Sequence, residues 1–255
     1  MKRYVTLMFC LLLLPMFVGT LFAQVNQTDA KGRKQGKWEK VYPGTRVYMY
    51  RGEFKDDRPI GTFLYFYKSG KSKAVIEHSA ASRSMGYFYH ETGGVMSYGI
   101  YTNLKKDSIW VNWDKLGRLS SRESYKNDSL HGMKVVYYLP KDQGDKSQRP
   151  MTVFNYNNGQ LHGEFKEYFE TGRLKMSGNY ENHKKVGAWE SYHVDGGKMF
   201  LERYKEGVRH GWCIGYDKKG KEEGRKYFYY GRWLQGKELK KKMSEMKRLG
   251  INPNE

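Results

Sequence analysis

One unit of about 24 residues recurs along most of this chain, and this repetition limits the possible folds more than any other feature. The stretch GEFKEYFETG at residues 163–172 returns 24 positions later as GAWESYHVDG. Self-similarity with a fixed period of about 20 to 50 residues is the mark of a repeat architecture. Eight units follow one another in steps of 23 to 25 residues, with one longer step of 31, and they start at Gly36, Gly61, Ser84, Ser108, Gly132, Gly163, Gly187 and Gly211.

Each unit repeats the same chemistry at fixed positions. Five residues after the start, the chain carries Val41, Phe66, Tyr89, Trp113, Tyr137, Tyr168, Tyr192 and Tyr216. Nine residues after the start, a glycine recurs at Gly70, Gly93, Gly117, Gly172, Gly196 and Gly220. Seven residues before the next start stand Phe54, Glu77, Tyr101, Tyr125, Tyr156, Tyr180, Tyr204 and Tyr229.

Aromatic runs of five to eight residues that are punctuated by glycine predict β-hairpins, because glycine supplies the positive φ of tight turns. A single hairpin is marginal in water, so the units must stack and pair their strands edge to edge. The predicted fold is therefore all-β: an elongated antiparallel solenoid of hairpins, forming one twisted sheet. With two strands per unit, the ladder would be roughly 80 Å long.

The repeat and the composition divide the chain into segments. Residues 24–35 form an N-terminal extension, residues 36–238 hold the repeats, and residues 139–150 (LPKDQGDKSQRP) form a loop insertion. Residues 239–255 change period, since Leu239, Met243, Met246 and Leu249 fall on one face of a helix. This short C-terminal helix either caps the last strand or binds a surface or partner through its basic residues Lys240, Lys241, Lys242 and Arg248.

The unit GEFKEYFETGRLKMSGNYENHKKVG, residues 163–187, resembles the MORN-repeat variant family, which includes bacterial antitoxin-like proteins called YwqK. The match covers residues 36–236 and is most specific in residues 163–211. The resemblance implies an antiparallel sheet solenoid and a role in binding. It implies no catalytic residues.

Residues 1–23 have the pattern of a secretory signal peptide. Lys2 and Arg3 precede an apolar stretch from Val5 to Phe22, and Ala23 offers a cleavage site. The alternative is an uncleaved membrane anchor, against which Pro15 and Gly19 interrupt the stretch. We therefore expect an exported protein that is periplasmic, associated with the cell envelope, or secreted.

Charge suggests what such a protein would meet. After removal of residues 1–23, the 46 basic residues fall to 44 against 27 acidic ones, a formal charge of +17. Such an excess attracts anionic polymers and membrane surfaces. No nucleic-acid-binding motif is present and none is expected in an exported protein, so lipid headgroups, acidic glycans and wall polymers are the candidate partners. The plainer interpretation is that the basic residues solubilise an open sheet.

Enzymatic motifs are missing from the sequence, so we predict a protein that is not an enzyme and needs no cofactor or metal. His131, His162 and His210 precede unit starts and are interpreted as turn residues. Glu164 and Glu167 point to opposite faces of a strand, so they are no acid–base pair. Cys213 stands two residues after a start, where other units carry Trp or Phe, and is expected to pack as a small residue.

Two interpretations of the aromatic positions remain. Most must form the core of a sheet that has little Leu or Val, but exposed rings could also bind sugars or a partner protein. The candidate binding rings are Tyr168, Tyr192, Tyr216 and Trp189. The predicted function is that of an exported, non-catalytic repeat scaffold that binds proteins or anionic envelope surfaces. The alternatives are an antitoxin that neutralises a partner toxin and an enzyme acting on cell-wall glycans.

Overall fold

The computed structural model describes residues 24–79, 82–140 and 147–255. They form twenty strands and one helix, in chain order β1 Gln27–Thr28, β2 Lys34–Val41, β3 Tyr48–Lys55, β4 Arg58–Phe66, β5 Ser72–His78, β6 Arg83–Tyr89, β7 Val95–Thr102, β8 Lys105–Trp113, β9 Leu119–Lys126, β10 Ser129–Tyr137, β11 Pro150–Asn157, β12 Gln160–Leu161, β13 Gly163–Tyr168, β14 Leu174–Glu181, β15 Lys184–Tyr192, β16 Lys198–Lys205, β17 Val208–Arg209, β18 Gly211–Tyr216, β19 Glu222–Tyr229, β20 Arg232–Leu234 and α1 Gly236–Leu249.

The strands form one open antiparallel sheet in which each hairpin pairs with the next. β12 and β13 both pair with β11, and β17 and β18 both pair with β16, so each of these pairs is one strand that is interrupted by a histidine. The predicted fold class, an elongated β-hairpin repeat with a short C-terminal helix, is confirmed. Residues 1–23, the predicted signal peptide, lie outside the described residues.

Two kinds of turn alternate along the sheet. Within each unit, the predicted glycine column has a φ between +77° and +102°, as at Gly70, Gly93 and Gly117. The backbone N–H of Gly70 donates to the carbonyl of Tyr67 at 2.9 Å, which closes the turn. Only glycine adopts this left-handed conformation at little cost, so the column follows from backbone geometry.

Between units, the hairpins end in two residues that both have a positive φ, for example Asn103–Leu104 and Asn182–His183. These are the turns whose twist matches that of paired strands. Their backbone N–H groups bond to the preceding unit: His183 donates to the carbonyl of Leu161 at 2.9 Å, and Gly207 to that of Lys185 at 3.0 Å. Adjacent units are therefore joined at their turns as well as along their strands.

The residue that starts a unit marks, with one exception, a bulge in the sheet. Gly187 has a φ of +66°, and the pairing of β14 with β15 shifts register between Ser177 and Asn179. Ser108 adopts the same conformation without being a glycine, with a φ of +60°. Ser84 is different, because β5 and β6 pair with no shift. A bulge of this kind bends the strand and increases its twist.

The strand pairing corrects two assignments of the repeat. The residue that pairs with the unit start is His78 rather than Glu77 in the second unit, and Phe228 rather than Tyr229 in the last. The turns that follow differ in length, so counting backward from the next start placed the column one residue off. With this correction the column is aromatic throughout: Phe54, His78, Tyr101, Tyr125, Tyr156, Tyr180, Tyr204 and Phe228.

Two predicted boundaries also move. The helix begins at Gly236, three residues before the predicted start, and ends at Leu249; the next residue, Gly250, has a left-handed backbone that lets its N–H bond to the last turn. The helix starts early because the chain leaves the sheet directly after Leu234. β11 begins at Pro150, inside the predicted loop, because the first residue of a strand tolerates the missing N–H. Residues 141–146 of that loop are not among the described residues.

Candidate functional site

A row of aromatic rings forms the core on one face of the sheet, which we call the ring face. Trp110, Phe63 and Trp189 are 1%, 2% and 3% exposed. Each ring covers a glycine of the preceding strand: a methyl group on Gly99 would lie 2.3 Å from the Trp110 ring, and one on Gly178 would lie 2.2 Å from the Trp189 ring. No other residue would leave the ring in place, so each pair is matched in size.

A lysine lies over each of the two tryptophan rings. The Nζ atom of Lys106 lies 4.2 Å from the Trp110 ring centroid, and that of Lys185 lies 4.0 Å from the Trp189 ring centroid. Burial lowers the pKa of Lys185. The indole N–H of Trp189 donates to the carbonyl of Asn179 at 3.2 Å. Trp189, a candidate binding ring, is therefore packed on both sides and hydrogen-bonded within the sheet.

The candidate tyrosines Tyr168, Tyr192 and Tyr216 end β13, β15 and β18 and are half-buried. The Tyr192 hydroxyl donates to the carboxylate of Glu190 at 2.6 Å, and Lys198 donates to the other oxygen at 2.6 Å. The bond to Glu190 and burial raise the pKa of Tyr192, while the bonds from Lys198 and Tyr192 lower that of Glu190. The Tyr192 hydroxyl therefore takes part in the sheet's own polar contacts.

Tyrosine hydroxyl groups at the position six residues after a unit start join successive units. Sequence reasoning missed these contacts. The Tyr42 hydroxyl donates to the carbonyl of Phe66 at 2.8 Å, and the Tyr67 hydroxyl to that of Tyr89 at 2.7 Å. Tyr138 bonds to the carbonyl of Tyr168 in the same way. The signal was the tyrosine that stands six residues after three of the starts, but the carbonyl that each hydroxyl reaches lies more than 20 residues away.

The fifth unit replaces the ring-and-glycine pair with an ion pair. Lys134 occupies the ring position and Glu123 the glycine position, and their charged atoms lie 3.0 Å apart. The Tyr125 hydroxyl also donates to Glu123, at 2.8 Å. Burial by itself would raise the pKa of Glu123, but the bonds from Lys134, Tyr125 and Ser121 hold it below its ordinary value. The carboxylate is fully engaged within the sheet.

The last unit leaves the ring position open. Cys213 stands there, half-buried, and burial raises the pKa of its thiol. Beside it on the ring face lies a cleft of about 480 Å³, which is lined by Phe200, Leu201, Glu202, Arg209, Cys213, Ile214, Gly215, Glu223, Gly224, Arg225, Lys226 and Phe228.

Helix α1 packs against the last hairpin. Met246 is buried with Tyr227 and Leu234, and Leu239 and Met243 pack against this cluster. The Tyr227 hydroxyl lies 3.3 Å from the sulfur of Met246. Leu249 was predicted on the same apolar face but is 55% exposed, because the helix ends one residue later and the sheet does not reach that far.

The outer side of α1 is a stripe of exposed cations. Three of the four candidate basic residues are exposed, namely Lys240, Lys241 and Arg248. The helical spacing places two further exposed lysines, Lys237 and Lys247, on the same side of α1. We call these five residues the basic stripe. Lys242 does not belong to it, since its Nζ atom lies 4.1 Å from the Tyr229 ring centroid and 3.4 Å from the Glu245 carboxylate.

No acidic residue of the helix faces the stripe. Glu238 pairs with Arg232 of β20, and Glu245 pairs with Lys242. None of the ion pairs that the structure records in residues 24–79, 82–140 and 147–255 includes a member of the stripe. The five charges are therefore held on one rigid surface and are available to an external anion.

His131 and His210, which precede unit starts, contact the turns between units. His131 accepts a bond from the backbone N–H of Asn158 at 3.4 Å, and His210 accepts one from Tyr230 at 3.2 Å. Within the described part of the chain, no three His, Cys, Asp or Glu side chains are placed to hold a metal ion together. The same residues include no helix of the length and apolarity that a membrane span requires.

Comparisons with known proteins add little. No family model matches the chain, and no curated protein matches it. Among solved structures, a crystal structure of TarM is similar over 52% of this chain, with 13% identity and a TM-score of 0.25. A mutant of S. aureus TarM in complex with fondaparinux, α-GlcNAc-glycerol and UDP is similar over 49%, with 14% identity and a TM-score of 0.19. The matched part spans 20% and 19% of those chains, and TM-scores this low support no conclusion.

Proposed function

We propose that this chain is an exported, MORN-like repeat scaffold that binds anionic surfaces of the cell envelope and catalyses no reaction. The observation that carries the proposal is the basic stripe. Its five cations share one side of α1, while the opposite side of the helix is fixed to the sheet by Met246. Export is motivated by the sequence of residues 1–23 and places the stripe where lipid headgroups and wall polymers are the abundant anions.

The geometry suits a broad anionic surface better than a single small anion. The stripe covers residues 237–248, about three turns of helix, or roughly 16 Å. Each lysine or arginine close to an anionic membrane contributes about 1 kcal/mol, so five together give useful affinity without any shaped pocket. Within the repeats, the carboxylates of Glu123 and Glu190 are engaged by lysines of the sheet itself. This favours a structural role for the sheet.

Vesicle sedimentation tests the proposal. The wild-type chain is compared with a Lys240→Glu/Lys241→Glu variant and with a control, Lys68→Glu/Lys71→Glu, in which two exposed lysines of a turn are reversed. All three proteins share residues 1–23, and the two variants have equal net charge. Vesicles contain phosphatidylcholine with or without phosphatidylglycerol, and a soluble glycerol-phosphate polymer serves as a competing anion.

We expect the stripe variant to bind anionic vesicles about thirtyfold more weakly than the control, since two contributions of about 1 kcal/mol are lost. Binding should weaken steeply between 0.1 M and 1 M salt, where the screening length falls from about 10 Å to about 3 Å. Competition by the soluble polymer would identify phosphate polymers as an alternative source of the anion. Equal binding by the two variants would contradict the proposal.

A further inference from the structure

Six glycines lie within described strands with an extended backbone, and five of them are covered by an aromatic ring. A methyl group on Gly52, Gly86, Gly99, Gly178 or Gly215 would lie between 2.2 and 3.4 Å from a ring atom. At Gly224 the same methyl group would meet no atom within 4 Å. Gly224 is therefore the one strand glycine of this kind, among the described residues, without a ring over it.

The reason is the early end of the neighbouring strand. Gly52, Gly99 and Gly178 are covered by rings from the next strand, which are Phe63, Trp110 and Trp189. The strand after β19 is β20, which pairs only with Tyr227–Tyr229 before the chain enters α1. Residues 222–226 therefore have a strand partner on one side, β18, and a free edge on the other within the described chain.

The backbone at this edge is oriented to accept another strand. A two-residue turn makes its flanking residues, Tyr229 and Arg232, a hydrogen-bonded pair. The direction of the backbone N–H and C=O groups alternates from one residue to the next along a strand. The groups of Tyr227 and of Arg225 therefore point to the same side of β19 as those of Tyr229, which is the side of β20. Those of Arg225 lie beyond the end of β20 and point to the free edge.

The other end of the sheet is closed by its own chain. The Asn26 backbone N–H donates to the carbonyl of Lys37 at 2.8 Å, and the Asn26 side chain accepts from the N–H of Glu39 at 2.9 Å. The edge strand β2 thus has its backbone groups occupied next to β1. Of the two ends of the sheet, the edge of β19 is the one that is open to pairing.

The surroundings of Gly224 suit an aromatic side chain. Phe200 and Phe228 line the 480 Å³ cleft beside it, and no residue of α1 does. Arg209 occupies the position that Lys185 holds over Trp189, two residues before the unit start, and its guanidinium lies 5.5 Å from the Phe228 ring centroid. A cation over a ring is the arrangement that this protein uses at Trp110 and Trp189.

Charge around the edge indicates the sign of the partner. The adjoining turn carries three exposed lysines, Lys218, Lys219 and Lys221. In the strand itself Arg225 pairs with Glu222, and Lys226 stands against Glu223, so the excess positive charge comes from the turn. Asp217 of the same turn is occupied by the backbone N–H groups of two of those lysines. An acidic strand would therefore be favoured over a basic one, and over a second copy of this strongly basic chain.

We propose that an extended, acidic segment of a partner protein adds to the sheet as a strand along Glu222–Lys226 and places an aromatic side chain over Gly224. Backbone bonds to Arg225 provide affinity, and the ring over Gly224 provides selectivity. This site is separate from the basic stripe and does not depend on surface binding.

A synthetic peptide tests the site. The probe has seven residues: a central tryptophan, two valines on each side of it and one aspartate at each end. The control peptide has alanine in place of tryptophan. Titration calorimetry with the full chain should show tryptophan binding at least about tenfold tighter than alanine. Equal affinity for the two peptides would overturn the role of Gly224.

Two pairs of variants separate the parts of the proposal. Arg225→Pro removes the outward N–H, whereas Arg225→Ala keeps it, so only the proline should abolish binding. Gly224→Val places a side chain in the space over Gly224 that the tryptophan of the peptide would occupy. Asn179→Val introduces the same side chain at an exposed strand position elsewhere. Only Gly224→Val should therefore weaken peptide binding. Circular dichroism checks that each variant folds.

The stripe variant Lys240→Glu/Lys241→Glu provides the remaining control. It should bind the peptide within about threefold of wild type, since it leaves β19 unchanged. Peptide binding that is lost in this variant and kept in Arg225→Pro would place the peptide on α1 and contradict the proposal. Concentration-dependent association of the wild type, absent in Arg225→Pro, would show that a second copy occupies the edge, which would also overturn it.

Discussion

The seventh and eighth units are built on one plan but differ at the ring position and at the position beneath the ring, which lies in the preceding strand. In the seventh, Gly178 lies beneath the ring of Trp189. In the eighth, Glu202 and Cys213 take these positions, no ring covers the strand, and a cleft results. The backbone is similar in both, since Gly187 pairs with Tyr204 and Gly211 pairs with Phe228. The comparison shows that the Trp189 ring closes the seventh unit, whereas the smaller Cys213, together with the early end of β20, leaves the eighth open.

Removing the ring should have the largest effect on stability. Trp189→Ala is expected to lower the free energy of unfolding by about 3 to 5 kcal/mol, because it opens a cavity between Gly178 and Lys185. Cys213→Ala, the same position in the next unit, should cost less than about 1 kcal/mol. Urea unfolding of both variants measures the difference, and equal losses would show that the two units are packed alike.

Truncation within the helix should have the next largest effect. Met246→Ala removes a buried side chain from the contact of α1 with Tyr227 and Leu234, and we expect a loss of about 2 to 4 kcal/mol. Leu249→Ala should change stability by less than about 0.5 kcal/mol, because that side chain is exposed. The result would be contradicted if the two substitutions shifted the thermal midpoint equally.

Adding one methyl group distinguishes a covered glycine from an open one. Gly178→Ala should destabilise by about 1 to 3 kcal/mol, since the new atom would lie 2.2 Å from the Trp189 ring. Gly224→Ala should be neutral or stabilise by up to about 1 kcal/mol, because it meets no neighbour and restricts the unfolded chain. Chemical unfolding should show changes in the free energy of unfolding of opposite sign for the two variants. A loss of stability in Gly224→Ala would mean that the space over Gly224 is already occupied.

The ion pair of the fifth unit should give the smallest effect, and one that depends on pH. The pKa of Glu123 is held below its ordinary value of 4.5, so its contribution to stability is present above about pH 4.5 and is lost on acidification. The stability gap between wild type and Glu123→Gln should therefore narrow as the pH falls below 4.5. Trp189→Ala serves as a control, because its difference in stability from wild type should stay the same as the pH falls below 4.5.

Sequence reasoning predicted the periodic features well. The glycine column at Gly70 and Gly172 follows from a local need for positive φ, and the hairpin repeat follows from spacing. It was wrong about Glu77 and Tyr229, because turns of unequal length moved the paired residues to His78 and Phe228. Register depends on which strand a residue meets, and a single sequence does not state this.

The candidate site was predicted in part. The cations Lys240, Lys241 and Arg248 lie on the exposed side of α1, but Lys242 turns toward Tyr229, a contact that only the packing of the helix on the sheet creates. The open edge at Arg225 was not foreseen. It results from the early end of β20, and no residue type in the sequence marks where pairing stops.

Amide hydrogen exchange of the full chain, with and without anionic vesicles, tests the central claim most directly, since it reports which segment meets the surface. The account predicts that vesicles slow exchange within residues 237–248 of α1 and leave the Trp110 and Trp189 strands unchanged. Neutral vesicles, or 1 M salt, should remove this protection. Protection that is spread along the sheet, or that leaves residues 237–248 unaffected, would contradict the account.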